Sequence, residues 1–181
     1  MPRFYPNAVT LAADEGARDE QLSAIEILQA SNLPGRWSVK DSFGTFDLSR
    51  RGFDLLFDAQ WIRTTMPDGD STTDIVWQRE SAAATPLPFG DSDFAMFTGR
   101  RGFQVVAGGM LYRAEGVVGL TNVVAEAADA GAVWRSLIVL AAQTFPRLPL
   151  VGYESGAELG AALDAGFEAG DSLRVWVTAR E

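Results

Sequence analysis

The sequence predicts an α/β fold of the α+β kind: a central, mostly antiparallel sheet with helices on both faces, extended at the N-terminus by a helix and two strands. Three observations carry this. The last third spells strand, helix, glycine stop, strand; the middle reads as consecutive strands with tight turns; the first third pairs one amphipathic helix with alternating segments.

Taken in order, Arg18 to Ser31 places Leu22, Ile25 and Leu28 at helical spacing behind an acidic first turn, as the helix dipole prefers. After the turn-forming NLPGR come two β-prone segments, Trp37 to Leu48 and Phe53 to Ile62. In the second, Phe53, Leu55, Phe57, Ala59 and Trp61 alternate with polar residues, the pattern of a half-buried strand. TTMPDGDSTT, Thr64 to Thr73, is an exposed loop, so 1–65 reads as an N-terminal extension packed on a core of 74–181, the two forming one compact unit. Ile75 to Gln78 is a short strand and Ala82 to Asp93 a second loop.

From Phe94 onward, FAMFTGRRGFQVVAGGMLY and EGVVGLTNVVA read as antiparallel strands turning at Gly99 to Gly102 and at Glu115-Gly116. Val117 to Val124 is apolar on both faces and therefore central. Within it Asn122 is expected to be buried, its amide satisfied by backbone, lining a ligand cleft or bridging splayed sheet edges. Ala132 to Phe145 is a mostly buried helix that Pro146 ends. Leu148 to Glu154 and Ser172 to Thr178 are strands. The helix between them starts with an S-x-x-E capping box, Ser155 and Glu158, and stops at Gly166. With nothing after Glu181 to cover it, the last strand is expected to be protected by Phe53 to Ile62, from the same chain or a second subunit.

Composition excludes more than it suggests. The 181 residues are 47% hydrophobic, enough for one sizeable core. No run reaches the roughly 18 apolar residues of a membrane span, and the first residues lack a signal peptide's apolar stretch, so a cytoplasmic protein is expected. The absence of cysteine and histidine rules out disulfides, thiolate nucleophiles, serine–histidine triads and histidine-ligated metals. No metal cofactor is expected, and acid–base work falls to Asp, Glu, Tyr or the single Lys40. A net charge of −9 argues against nucleic acid and suits an amine-bearing small molecule or peptide. Fourteen arginines against one lysine reflect a GC-rich, bacterial-like coding bias. Lys40 and Asp41 read as an exposed pair. The tetrapeptide Arg-Arg-Gly-Phe, at Arg50 to Phe53 and again at Arg100 to Phe103, reads as two basic turns or as a pair of phosphate-binding turns.

The segment LPLVGYESGAELGAALDAGFEAGDSLRVWV, Leu148 to Val177, resembles the last third of the GNAT superfamily, the acyl-coenzyme-A-dependent N-acetyltransferases; the resemblance covers roughly Ile75 to Val177. It implies a GNAT-like sheet with a parallel pair at its middle. It also implies a central strand that lends its backbone to the pantetheine arm, and a following loop, Q/R-x-x-G-x-G/A, that wraps the pyrophosphate. Here that strand is Val117 to Val124 and the loop AEAADAGA, Ala125 to Ala132. Glu126, Asp129 and Gly131 occupy the motif positions in one register, and Asp129, Ala132 and Trp134 in another. Asp129 also reads as the N-cap of the helix, where its carboxylate would repel phosphate, so acetyl-CoA or another acyl-CoA is expected to bind weakly.

By this resemblance Thr121, Asn122, Val123 and Val124 hold the pantetheine, and Gly131 and Ala132 stand in for the phosphate loop. Many members place a tyrosine acid four residues before the Gly-Phe of the last helix; this chain has Ala162 there, leaving Tyr153 and Glu154 as the catalytic candidates. The implied activity is N-acyl transfer to an amine. The alternative is a noncatalytic protein of the same fold that binds a partner protein or small ligand, and a homodimer is compatible with either.

Overall fold

The computed structural model describes residues 6–31, 35–65, 73–80, 92–126 and 130–179. These form nine strands and three α-helices: β1 (Ala8–Val9), α1 (Glu15–Ala30), β2 (Ser38–Asp41), β3 (Phe53–Thr64), β4 (Val76–Glu80), β5 (Phe94–Arg101), β6 (Gln104–Ala114), β7 (Val117–Ala125), α2 (Ala130–Thr144), β8 (Leu150–Glu154), α3 (Gly156–Asp164) and β9 (Glu168–Thr178). The chain divides into two compact units, Met1–Gln60 with Asp171–Glu181, and Trp61–Gly170; β3 and β9 contribute residues to both. Strand pairing is mixed and mostly antiparallel.

In the first unit, α1 begins where Asp14 Oδ1 accepts the Ala17 amide at 2.9 Å, and Glu15 sits favourably in its first turn. Its apolar stripe meets a cluster of Ile25, Trp37, Val39, Phe46, Leu48, Phe53 and Trp176, in which the Trp37 and Phe53 rings meet edge to face at 5.1 Å. The strand expected over Trp37 to Leu48 is only four residues long. Asp41 explains its end: the residue is fully buried, not exposed as the sequence suggested, and its Oδ2 accepts the Phe46 amide at 2.8 Å. That bond folds 42–46 back on the strand as a turn, in place of a continuing ladder. The last strand has β3 on one side, as expected of Phe53 to Ile62, and β2 on the other, pairing antiparallel with β9 from Ser38↔Val177 to Asp41↔Arg174. Arg174 of β9 also donates to Asp58 Oδ1 of β3 at 2.9 Å.

In the second unit, β4 to β7 form an antiparallel meander, and β8 adds to β7 in parallel. One face of this sheet carries α2, whose Val133, Trp134, Leu137, Ile138 and Ala141 are buried against Ala107, Leu111, Val118, Leu120 and Leu150. The helix approaches closely because β6 has glycine at 109: a Cβ there would lie 2.8 Å from Leu137 Cδ2. β3 departs from its expected alternation, since Ile62 and Thr64 are buried while Leu55 is 44% exposed, so the buried face changes along the strand.

The end of α3 follows the sequence reading. Gly166, at φ 108°, donates to Leu163 O at 3.0 Å, and Phe167 N donates to Ala162 O at 3.1 Å, a Schellman closure. Its start does not. Ser155 has the extended backbone of an N-cap but its side chain makes no capping bond, and Gly156 follows at φ 57°. The left-handed step at Gly156 sends the first turn off in a direction that the hydroxyl does not serve, so the capping box is absent.

Candidate active site

The site is built where β7 and β8 part. Their parallel ladder holds only Val118↔Leu150 and Gly119↔Val151. Beyond those pairs β7 carries a bulge: Gly108 of β6 faces Val124 and Met110 faces Thr121, so β7 spends one more residue than β6 over the same stretch. Asn122 is the residue that absorbs it, at φ 52°, a conformation Asn tolerates better than most side chains. This corrects the expectation of a buried amide. Asn122 is exposed, and its Nδ2 meets Met110 Sδ at 3.1 Å. A bulge turns backbone groups out of the ladder, and nothing in the residue types of VVGLTNVVA announces it; it depends on the count of residues in β6 opposite.

The four residues assigned to the pantetheine lie on this segment. Thr121 and Val123 are half-buried, Val123 packing toward the α2 core, while Asn122 and Val124 are exposed, Val124 by 61%. Gly131 and Ala132 are not loop residues, because α2 already begins at Ala130; they form its first turn. Trp134, a motif position in one sequence register, is instead 1% exposed in the core. Glu126 is exposed and its amide donates to Val106 O at 3.2 Å; Asp129 lies outside the described residues.

Sequence reasoning missed Arg135. One helical turn after Gly131, its guanidinium lies over the start of α2, with Nη1 3.4 Å from where a Cβ on Gly131 would be. It is exposed. The spacing i, i+4 between a glycine and an arginine in the first turns of a helix was the available signal. In the two Arg-Arg-Gly-Phe turns, Arg51 pairs with Glu26 at 3.0 Å and Arg101 with Asp74 at 2.6 Å, which gives those two a structural role.

The catalytic candidates stand together at the end of β8 but project to opposite faces, as successive strand residues do. Tyr153 meets the Trp61 ring edge to face at 5.8 Å. On that side an open apolar cleft of 350 Å³ is lined by Trp61, Ile62, Arg63, Val151 and Gly170. Glu154 belongs to the face that carries Leu150 and α3. Burial raises its carboxyl from the ordinary 4.5 to about 7, and the nearby Glu158 carboxylate adds to the rise. A carboxyl raised this far exchanges its proton closer to neutral pH than an ordinary glutamate does. Ala162, in the position where a tyrosine acid would stand, is fully buried and packed in the core.

No protein-family model matches the chain, and no curated protein sequence matches it. Among solved structures it is similar to a functionally unknown conserved protein from Staphylococcus epidermidis, with TM-score 0.65 and 10% identity over 96% of this chain and 84% of that one. It is also similar to a GCN5-related N-acetyltransferase from Kribbella flavida, with TM-score 0.62 and 11% identity over 95% and 79%. A putative GNAT-family acetyltransferase from Novosphingobium aromaticivorans aligns with TM-score 0.54 and 15% identity over 84% and 79%. At these identities the likeness concerns the fold, and the chain has the GNAT fold.

Proposed function

We propose that this protein is a divergent N-acyltransferase that uses an acyl-coenzyme A and an amine-bearing substrate. The observation that carries the reading is the parting of β7 and β8 after two ladder pairs, with a bulge at Asn122 and a carboxyl at about 7 on the end of β8. A parted parallel pair has unmet backbone donors and acceptors, which an extended amide-bearing arm can satisfy. The residues present fit such a group in two places. Thr121, Asn122, Val123 and Val124 offer backbone along the bulged strand. The first turn of α2, Gly131 and Ala132, offers helix N-terminal amides under the Arg135 guanidinium, a combination suited to phosphate. Glu126, exposed at the start of the connection, opposes that charge and keeps binding weak.

When bound, an acyl-CoA supplies the activated acyl group. Glu154 accepts a proton from the acceptor ammonium through water, a task for which a carboxyl near 7 is matched to neutral pH. Tyr153 stands on the opposite face of β8, against Trp61. The Trp61 cleft beside Tyr153 is where an apolar part of the acceptor would rest. The noncatalytic alternative draws on Ala162, whose buried place leaves no room for the tyrosine acid, and on the exposed carboxylate of Glu126.

Calorimetric titration with acetyl-CoA tests the reading. Micromolar to submillimolar binding that Arg135→Ala weakens about tenfold, the worth of one charged hydrogen bond, supports it. No heat at millimolar ligand overturns it in favour of the noncatalytic alternative.

A further inference from the structure

Resting on the acyltransfer reading, we propose that the acceptor is a primary amine carrying a bulky, uncharged apolar group, and that Gly170 is the residue that leaves room for it. The group's place is the open cleft of 350 Å³ lined by Trp61, Ile62, Arg63, Val151 and Gly170. A cavity of about 150 Å³ holds one benzene ring, so this cleft suits a group of about two fused rings.

Its floor is apolar because of what the sheet turns away from α2. Leu150 points into the core, so Val151 and Tyr153 share the other face of β8, where the Trp61 ring meets Tyr153 edge to face at 5.8 Å. In register with Val151 stands Gly119 of β7, and opposite Gly119 stands Tyr112 of β6. A Cβ on Gly119 would overlap the Tyr112 ring, so that ring lies down on β7 and extends the floor from Trp61 and Val151 toward β6. Flat aromatic surface of this kind favours another ring laid against it. The amine end of such an acceptor lies toward the end of β8, the strand that carries Glu154.

Gly170 is a glycine that the backbone does not require. Its φ is not left-handed, and a Cβ there would meet Trp61 Cβ and O at 3.5 Å, an ordinary contact. Glycine weakens a strand interior, and where neither dihedral nor crowding demands it, close approach of a ligand is the remaining reason for it. Arg63 decides the charge of the group. Its Nε and Nη2 donate to Glu168 Oε2 at 3.2 and 3.1 Å, so an anionic substituent would have to displace Glu168 and a cationic one would meet a like charge.

Titrating the unliganded protein with 1-naphthylmethylamine, and with methylamine as the same ammonium without the rings, tests the cleft in the absence of acyl-CoA. The naphthyl amine is expected to bind at least about tenfold more tightly, for the apolar area its rings bury. Its ring protons should show nuclear Overhauser contacts to the Trp61 indole and the Val151 methyls. Gly170→Val, whose side chain occupies the cleft, should weaken the naphthyl amine at least about fivefold without changing methylamine, since filled space excludes the rings alone. Equal binding of the two amines, ring contacts only to residues outside the cleft, or a folded Gly170→Val protein that binds as wild type does would overturn the inference and leave the acyltransfer reading standing. Where Gly170→Val does not fold, the wild-type ring contacts decide. Failure of acetyl-CoA to bind sinks the acyltransfer reading, and with it the acceptor role, even where the naphthyl amine occupies the cleft.

Discussion

Replacing Glu154 by glutamine is expected to stabilise the protein above pH 7 and to leave its stability unchanged near pH 4. In the native state the carboxyl holds its proton up to about 7, whereas the unfolded chain releases it near 4.5. Between these values the native state binds more protons, so stability falls as pH rises through the window and is flat beyond it. Each tenfold change in proton affinity is worth about 1.4 kcal/mol, which sets a ceiling of about 3 kcal/mol. The side chain is only half-buried, and solvent screening brings the expected difference to about 1 kcal/mol. Urea unfolding of wild type and variant at pH 4, 5.5, 7 and 8.5 reads this, because contributions of titrating groups that do not interact with Glu154 cancel in the difference. A midpoint difference that grows from zero at pH 4 to a plateau above pH 7 is the expected outcome. A difference independent of pH would show that Glu154 titrates normally, and the base assigned to the site would go with it.

Gly109→Ala is expected to cost about 1–3 kcal/mol, since its Cβ would lie 2.8 Å from Leu137 Cδ2 and Leu137 is fully buried; a loss below about 0.5 kcal/mol in a chemical melt would mean that α2 can ride outward freely. Ser155→Ala should change stability by less than about 0.5 kcal/mol, against the 0.5–2 kcal/mol typical of a working cap, because its hydroxyl caps nothing. Lys40→Met should stabilise the protein at pH 7 and lose that advantage toward pH 10.5. Burial lowers this ammonium from 10.5 to about 8, so the unfolded chain binds the extra proton and wild-type stability rises with pH across that window. Thermal melts at pH 7 and 10 that show the same difference would remove the burial argument.

What the sequence determined by itself are the features whose cause is local. The apolar stripe of α1, the stop of α2 before Pro146, the Schellman closure at Gly166 and the hairpin of β6 and β7 at Glu115-Gly116 all follow from spacing, dihedral preference or a missing backbone donor within a few residues, although α1 begins at Glu15, three residues before the Arg18 that the sequence suggested. Their order, with the strand–helix–strand at the end, sufficed to indicate the GNAT fold. The site was legible only as a region. Glu154 could be named because it ends a strand, but its proton affinity depends on burial by other elements and on Glu158.

Tertiary structure decided what depends on distant partners. The same Glu158 that local pattern assigns to a cap is taken by Trp134, 24 residues away, because a buried indole requires an acceptor while Ser155, exposed to water, requires none. Asn122 lies outside the core because β7 has one residue more than β6 across the bulge, a mismatch that neither strand reveals alone. β2 lies beside β9, a partner from the far end of the chain, and ends where buried Asp41 holds the 42–46 turn. Hydrogen-bond demand inside a core is met by whichever partner the fold brings near, and sequence distance does not measure that.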